Sequence, residues 1–150
     1  KTPQHASSAA SDVYKRQVNV NPGRSDQTKN KYYINDQEAP VLILVRGNTY
    51  NFKFSSPESS AGGYSDANHP FYISTGSAWS SGAYTGEYTG GISGSRAYYG
   101  GTSSKLTFTV PSTAPNKLYY HCGNHDKMGG SFVVVDNSIS KTTSEYLFSW

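Results

Sequence analysis

The segment Tyr119-Tyr120-His121-Cys122-Gly123-Asn124-His125-Asp126-Lys127-Met128-Gly129-Gly130 sets a thiol, an imidazole and a thioether at C-x2-H-x2-M spacing. Cys122 is the sole cysteine and Met128 the sole methionine. Upstream, His69 stands in Asn68-His69-Pro70-Phe71 and offers a second imidazole. Together these residues supply two nitrogens, one strong sulfur donor and one weak one. A His2Cys plane with a long axial Met suits a single copper ion that cycles between Cu(I) and Cu(II). Zinc also takes Cys and His and is a competitor where copper is scarce.

Each of these residues has a plainer role to set beside the chemical one. A lone cysteine is more often a small buried hydrophobe, a lone methionine a filler of core gaps, and His69 could be an ordinary loop histidine. The joint spacing favours ligands. His121 alternates away from Cys122 on an extended strand and is read as a surface residue, not a ligand. Asp126 and Lys127 read as solvated loop charges. Asn124 is suited to brace the loop by side-chain-to-backbone bonding. Gly129 and Gly130 are read as permitting the turn into the next strand.

The elements that must position these groups are strands. Tyr50, Phe52 and Phe54 alternate with Asn51, Lys53 and Ser55, and Leu106, Phe108 and Val110 with Thr107 and Thr109. That period of two puts the apolar set on one face. The run VLILV at 41–45, bounded by Pro40 and Gly47, reads as a buried strand. Short strands are expected at 31–35 (KYYIN), 71–73, 118–122 and 131–136. Tyr50, Phe52, Phe54, Phe71, Phe108, Tyr120 and Phe132 are the expected core. Residues 55–68 read as a Ser/Gly/Pro loop, and 76–101 as a long loop with one short strand. No helical period appears. The expected fold is all-β, a Greek-key β-sandwich of about seven or eight strands.

At 150 residues there is room for one domain. A single cysteine excludes a disulfide framework within the chain, and no apolar run reaches the ~18 residues of a membrane span. The formal charge is +3. Asp12–Gln17 reads DVYKRQ, which resembles a translated sequencing-adapter oligonucleotide, so residues 1–17, with His5, are set aside as a disordered artefact. Their removal takes away three cations and one anion and leaves about +1. No basic groove accompanies the aromatics, so nucleic acid is not an expected partner. The reading then runs 18–30 linker, 31–136 domain, and 137–150 tail or start of a truncated region.

The stretch YYHCGNHDKMGGSFVVV resembles the copper loop and last strand of the cupredoxins, the type 1 blue-copper proteins of the plastocyanin/amicyanin group. Its short gap between His125 and Met128 is similar to the amicyanin type. The resemblance implies a cupredoxin-like sandwich holding one type 1 copper at His69, Cys122, His125 and Met128. It also implies electron exchange with a redox partner protein by a monomeric domain in an extracellular, periplasmic or lumenal compartment. His125 would be the electron port. A second reading is a non-redox copper-binding or adhesive module of a larger extracellular protein. A third, a copper oxidase or reductase, needs histidines for further centres that this chain lacks, so no stand-alone catalyst is expected.

Many cupredoxins place Asn after the first His ligand, where its backbone N–H donates to the copper-bound sulfur. Pro70 has no N–H to give. The reduction potential depends on bonds of this kind. Pro70→Asn is therefore expected to shift the potential measured by protein-film voltammetry; an unchanged value would remove the argument.

Overall fold

The computed structural model describes residues 13–22, 30–54, 69–76, 84–98, 103–125 and 127–137. Among these, ten strands form two sheets. They are β1 (Val13–Pro22), β2 (Asn30–Ile34), β3 (Gln37–Glu38), β4 (Leu42–Val45), β5 (Thr49–Phe54), β6 (Phe71–Ser74), β7 (Ile92–Ser93), β8 (Lys105–Thr109), β9 (Lys117–Cys122) and β10 (Gly129–Val135). One sheet runs β3-β2-β1-β5-β8-β7 and the other β4-β10-β9-β6. β1 with β5 and β4 with β10 are parallel, and the remaining pairs are antiparallel. The chain passes between the sheets repeatedly, which gives the expected Greek-key sandwich. No helix among the described residues is long and apolar enough to cross a membrane.

The alternating strands behave as their patterns require. On β5, Tyr50, Phe52 and Phe54 are buried while Lys53 is exposed. Leu106 and Phe108 on β8, and Phe132 and Val134 on β10, face the same core. Phe71 lies at its centre, stacked on Phe52 and Tyr120 and set edge-on to Tyr32. At the end of the sandwich where β9 begins, Arg46 donates to the Ala114 carbonyl and to Asn116 Oδ1 and pairs with Asp136. That end is pinned, and the opposite end, where β9 finishes, carries the histidines and the cysteine.

Three expectations change. The stretch set aside as disordered up to 17 and as linker from 18 is a strand over Val13–Pro22, paired to β2 on one side and β5 on the other. The open edge of β5 offers unpaired backbone groups, and any extended segment can complete them. The side chains suit that position unequally. Val18 is buried, whereas Arg16, two residues earlier on the same face, has Nε buried without a hydrogen-bond partner. Second, β4 is an edge strand rather than a fully buried one: Leu44 is buried, but Val41 and Ile43 are 63% exposed. A continuous apolar run does not by itself say which face is covered.

Third, part of the stretch expected to be a loop closes the outer edge of β6. The Phe71 and Thr75 amides donate to the Ala97 and Gly86 carbonyls, and the Tyr88 and Arg96 amides donate to Ile73 and Phe71. All four residues of β6 are buried as a result. Residues 1–12, 55–68 and 138–150, including the tail's Tyr146-Leu147-Phe148, lie outside the described residues.

Phe71→Ala removes the centre of the aromatic cluster. It is expected to destabilise the apo-protein by about 3–5 kcal/mol, read as a lower urea midpoint at unchanged slope.

Candidate metal centre

β6 and β9 pair antiparallel with Phe71 opposite Cys122. His69 lies two residues before Phe71, so this register carries its ring to the end of β9. β9 and β10 form a hairpin closed by the Cys122 amide donating to the Met128 carbonyl at 2.8 Å. The loop between them holds His125, exposed to solvent, and Met128, which is buried. The Cys122 sulfur lies 3.6 Å from Nδ1 of His69 and 3.4 Å from Nδ1 of His125. The donor atoms of the three residues all lie within 4.8 Å of one another.

These separations test whether a metal fits. Nitrogen at about 2.0 Å and sulfur at about 2.3 Å from a common ion, spread at trigonal to tetrahedral angles, stand ~3.5–3.7 Å apart. The observed spacings are close to those. With His69 and Cys122 buried and a thioether residue closing the same loop, the donor chemistry fits copper.

The surroundings hold the group from several sides. The Asn124 amide points at the sulfur at 3.4 Å. The Tyr32 hydroxyl, fully buried, donates to the His69 carbonyl at 2.8 Å. Lys31 Nζ donates to the carbonyl of Lys127, whose backbone is left-handed (φ 55°). Burial pushes the Cys122 thiol pKa up, while hydrogen bonding by the Asn124 and His125 backbone and by Tyr32 pulls against it. Burial, and secondly the charge of nearby His125, push His69 down to about 4. A neutral imidazole is the form that binds a metal.

Two smaller readings are revised and a third is extended. His121 does point away from Cys122, but it is not a surface residue: it is 7% exposed, beside Tyr72 and Tyr119, with Nε2 3.1 Å from the Gly76 carbonyl. The segment at 76 covers that face of the sheet. Asn124 offers the sulfur its main-chain amide. Gly129 and Gly130 are required by close approach: a Cβ at 129 would meet the Tyr120 carbonyl, and one at 130 the Tyr120 hydroxyl. Asp126 lies outside the described residues. Sequence reasoning missed Lys31, Tyr32 and Gly123, where a Cβ would strike the Tyr84 ring. Only the inward alternation of Tyr32 with Ile34 could have flagged the tyrosine.

The fold is a cupredoxin-like sandwich. Solved rusticyanin structures share the fold. A Ser86Asp and Met148Leu form is 18% identical with a TM-score of 0.52, covering 82% of this chain and 77% of that one. Rusticyanin from Thiobacillus ferrooxidans is 16% identical with a TM-score of 0.51, covering 82% and 80%. McoA multicopper oxidase from Aquifex aeolicus is more distant, at 14% identity and a TM-score of 0.42, covering 89% of this chain and 28% of that one. No curated protein matches the chain. The At5g54830-like domain model matches residues 10–136, and the chain belongs to that family.

The depressed His69 pKa makes the apo-protein acid-sensitive. The unfolded chain takes up this proton near 6.5 and the folded one near 4. Between those values the unfolded state binds more protons, so stability is fully present above about 6.5 and is lost as pH falls towards 4. The loss reaches about 3 kcal/mol. Urea unfolding of apo-protein across this window should show it, with a flatter profile for His69→Gln.

Proposed function

We propose that this domain is a single-electron carrier built on one type 1 copper ion held by His69, Cys122, His125 and Met128. The observation that carries the reading is one buried sulfur lying 3.4 and 3.6 Å from imidazole nitrogens on two separate segments. Bound there, the ion would supply a Cu(I)/Cu(II) couple. Cys122 would contribute the strong sulfur bond, and the rings of His69 and His125 the nitrogen donors. Met128, buried where the loop re-enters the sandwich, would be the weak thioether donor. The short His125-to-Met128 spacing supports the plastocyanin/amicyanin-like, amicyanin-type assignment.

His125 is the electron port, because its ring alone among the three clustered side chains is exposed. The partner is a redox protein docking at that end of the sandwich. The domain acts as a monomer in an extracellular, periplasmic or lumenal compartment, as the cupredoxin resemblance implies. It is a carrier and no stand-alone catalyst: His69 and His125 are both committed to one group, and His121 faces the Gly76 carbonyl instead.

Cu(II) added to purified apo-protein should produce an intense visible thiolate-to-copper band that Cys122→Ser abolishes. Stopped-flow exchange with a small redox protein should then be fast and reversible. Colour without exchange would favour the non-redox copper-binding module; no colour would remove the copper reading.

A further inference from the structure

His69 and Pro70 precede β6, and their carbonyls are anchored differently. The Pro70 carbonyl accepts from the Gly123 amide at 2.8 Å. The His69 carbonyl accepts from a side chain, the Tyr32 hydroxyl on β2, at 2.8 Å. Pro70 has no amide with which to tie this turn down. The same hydroxyl also hydrogen-bonds the Cys122 sulfur. The Tyr32 ring is fully buried, 5.1 Å from Phe71 and 6.4 Å from Tyr120, and its own carbonyl accepts from the Ala39 amide. A buried carbonyl needs a partner, and here the phenol supplies it from the facing sheet.

We propose that Tyr32 is a positioning residue for the metal centre: its hydroxyl, through the His69 carbonyl, fixes the backbone from which the His69 ring reaches Cys122. This rests on the copper reading above for its redox consequence and on geometry alone for its structural one. Lys31, next to Tyr32, holds the Lys127 carbonyl beside Met128 at 2.9 Å. The start of β2 thus touches both segments that carry donors. A loosened imidazole should weaken Cu(II) more than Cu(I), because thiolate and thioether sulfur favour the softer Cu(I).

Tyr50 provides the control. It is buried at the opposite end of the sandwich, and its hydroxyl accepts from the Val45 backbone amide at 2.9 Å. Val45 adjoins Arg46, away from the donor residues, so Tyr50→Phe removes a hydroxyl-to-backbone bond without touching the His69 turn or the 122–128 loop. Tyr32→Phe and Tyr50→Phe are compared with the wild type by three measurements. These are imidazole NMR of the apo-protein, Cu(I) and Cu(II) affinities by chelator competition, and voltammetry.

Tyr32→Phe is expected to broaden or double the His69 ring signals. It should weaken Cu(II) binding about tenfold, with a potential raised by about 59 mV for each tenfold by which Cu(II) loses more than Cu(I). Tyr50→Phe should lose thermal stability and leave all three readouts at wild-type values. Equal effects from both variants, or wild-type ring signals in Tyr32→Phe, overturn the proposal. If the wild type gives no copper band, the copper reading falls, and the apo ring signals still decide the role of Tyr32. If Tyr32→Phe does not fold, hydroxyl-proton exchange in the wild type decides: slow exchange for Tyr32 supports the anchored bond, and fast exchange refutes it.

Discussion

The structure turns on the register in which β6 meets β9. Phe71 stands opposite Cys122 and Tyr72 opposite His121. Side chains alternate along a strand, so Cys122 shares the core face with Leu118 and Tyr120. A slip of one residue would turn His121 inward and Cys122 outward and would separate the sulfur from both rings. The packing penalises that slip from both faces. Phe71 fills the space among Tyr32, Phe52, Phe54 and Tyr120, while His121 meets Tyr72, Tyr119 and the Gly76 carbonyl on the other side.

The β9–β10 hairpin adds the second constraint. It must return the chain within one short loop while passing under bulky rings. Gly123 leaves room for Tyr84, and Gly129 and Gly130 leave room for Tyr120. Their value here is the absence of a Cβ. Lys127 takes a left-handed backbone in the turn, and Lys31 donates to its carbonyl. The loop therefore inherits its shape from two aromatic residues outside it.

Much of the centre was legible because it is local. A C-x2-H-x2-M loop between two strands is written in consecutive residues, and alternation on β5, β8 and β10 declared their inward faces. His69 was found by type and then brought into place by strand pairing. What could not be read was set by contacts distant in sequence. Val13–Pro22 becomes a strand because β2 and β5 flank it. VLILV carries no sign that its outer face lacks a cover. The stretch at 84–97 shows little periodicity, yet it closes the edge of β6 through backbone bonds to which side-chain patterns are blind. His121 is covered by another distant segment, at Gly76, whose carbonyl faces its ring.

The two histidines divide the work by their supports. His69 sits at the end of a strand buried on both faces, its carbonyl held by Tyr32 and the next one by Gly123. His125 sits in a loop, exposed, with its ring 4.4 Å from that of His69. A site that must keep one geometry in two oxidation states gains from rigid elements, and one that must exchange electrons needs an accessible edge. For the carrier proposed above, anchoring one imidazole in the core and leaving the other at the surface would meet both demands. The cost falls on His69, whose burial disfavours protonation and so ties the fold's acid stability to a residue of the proposed metal centre.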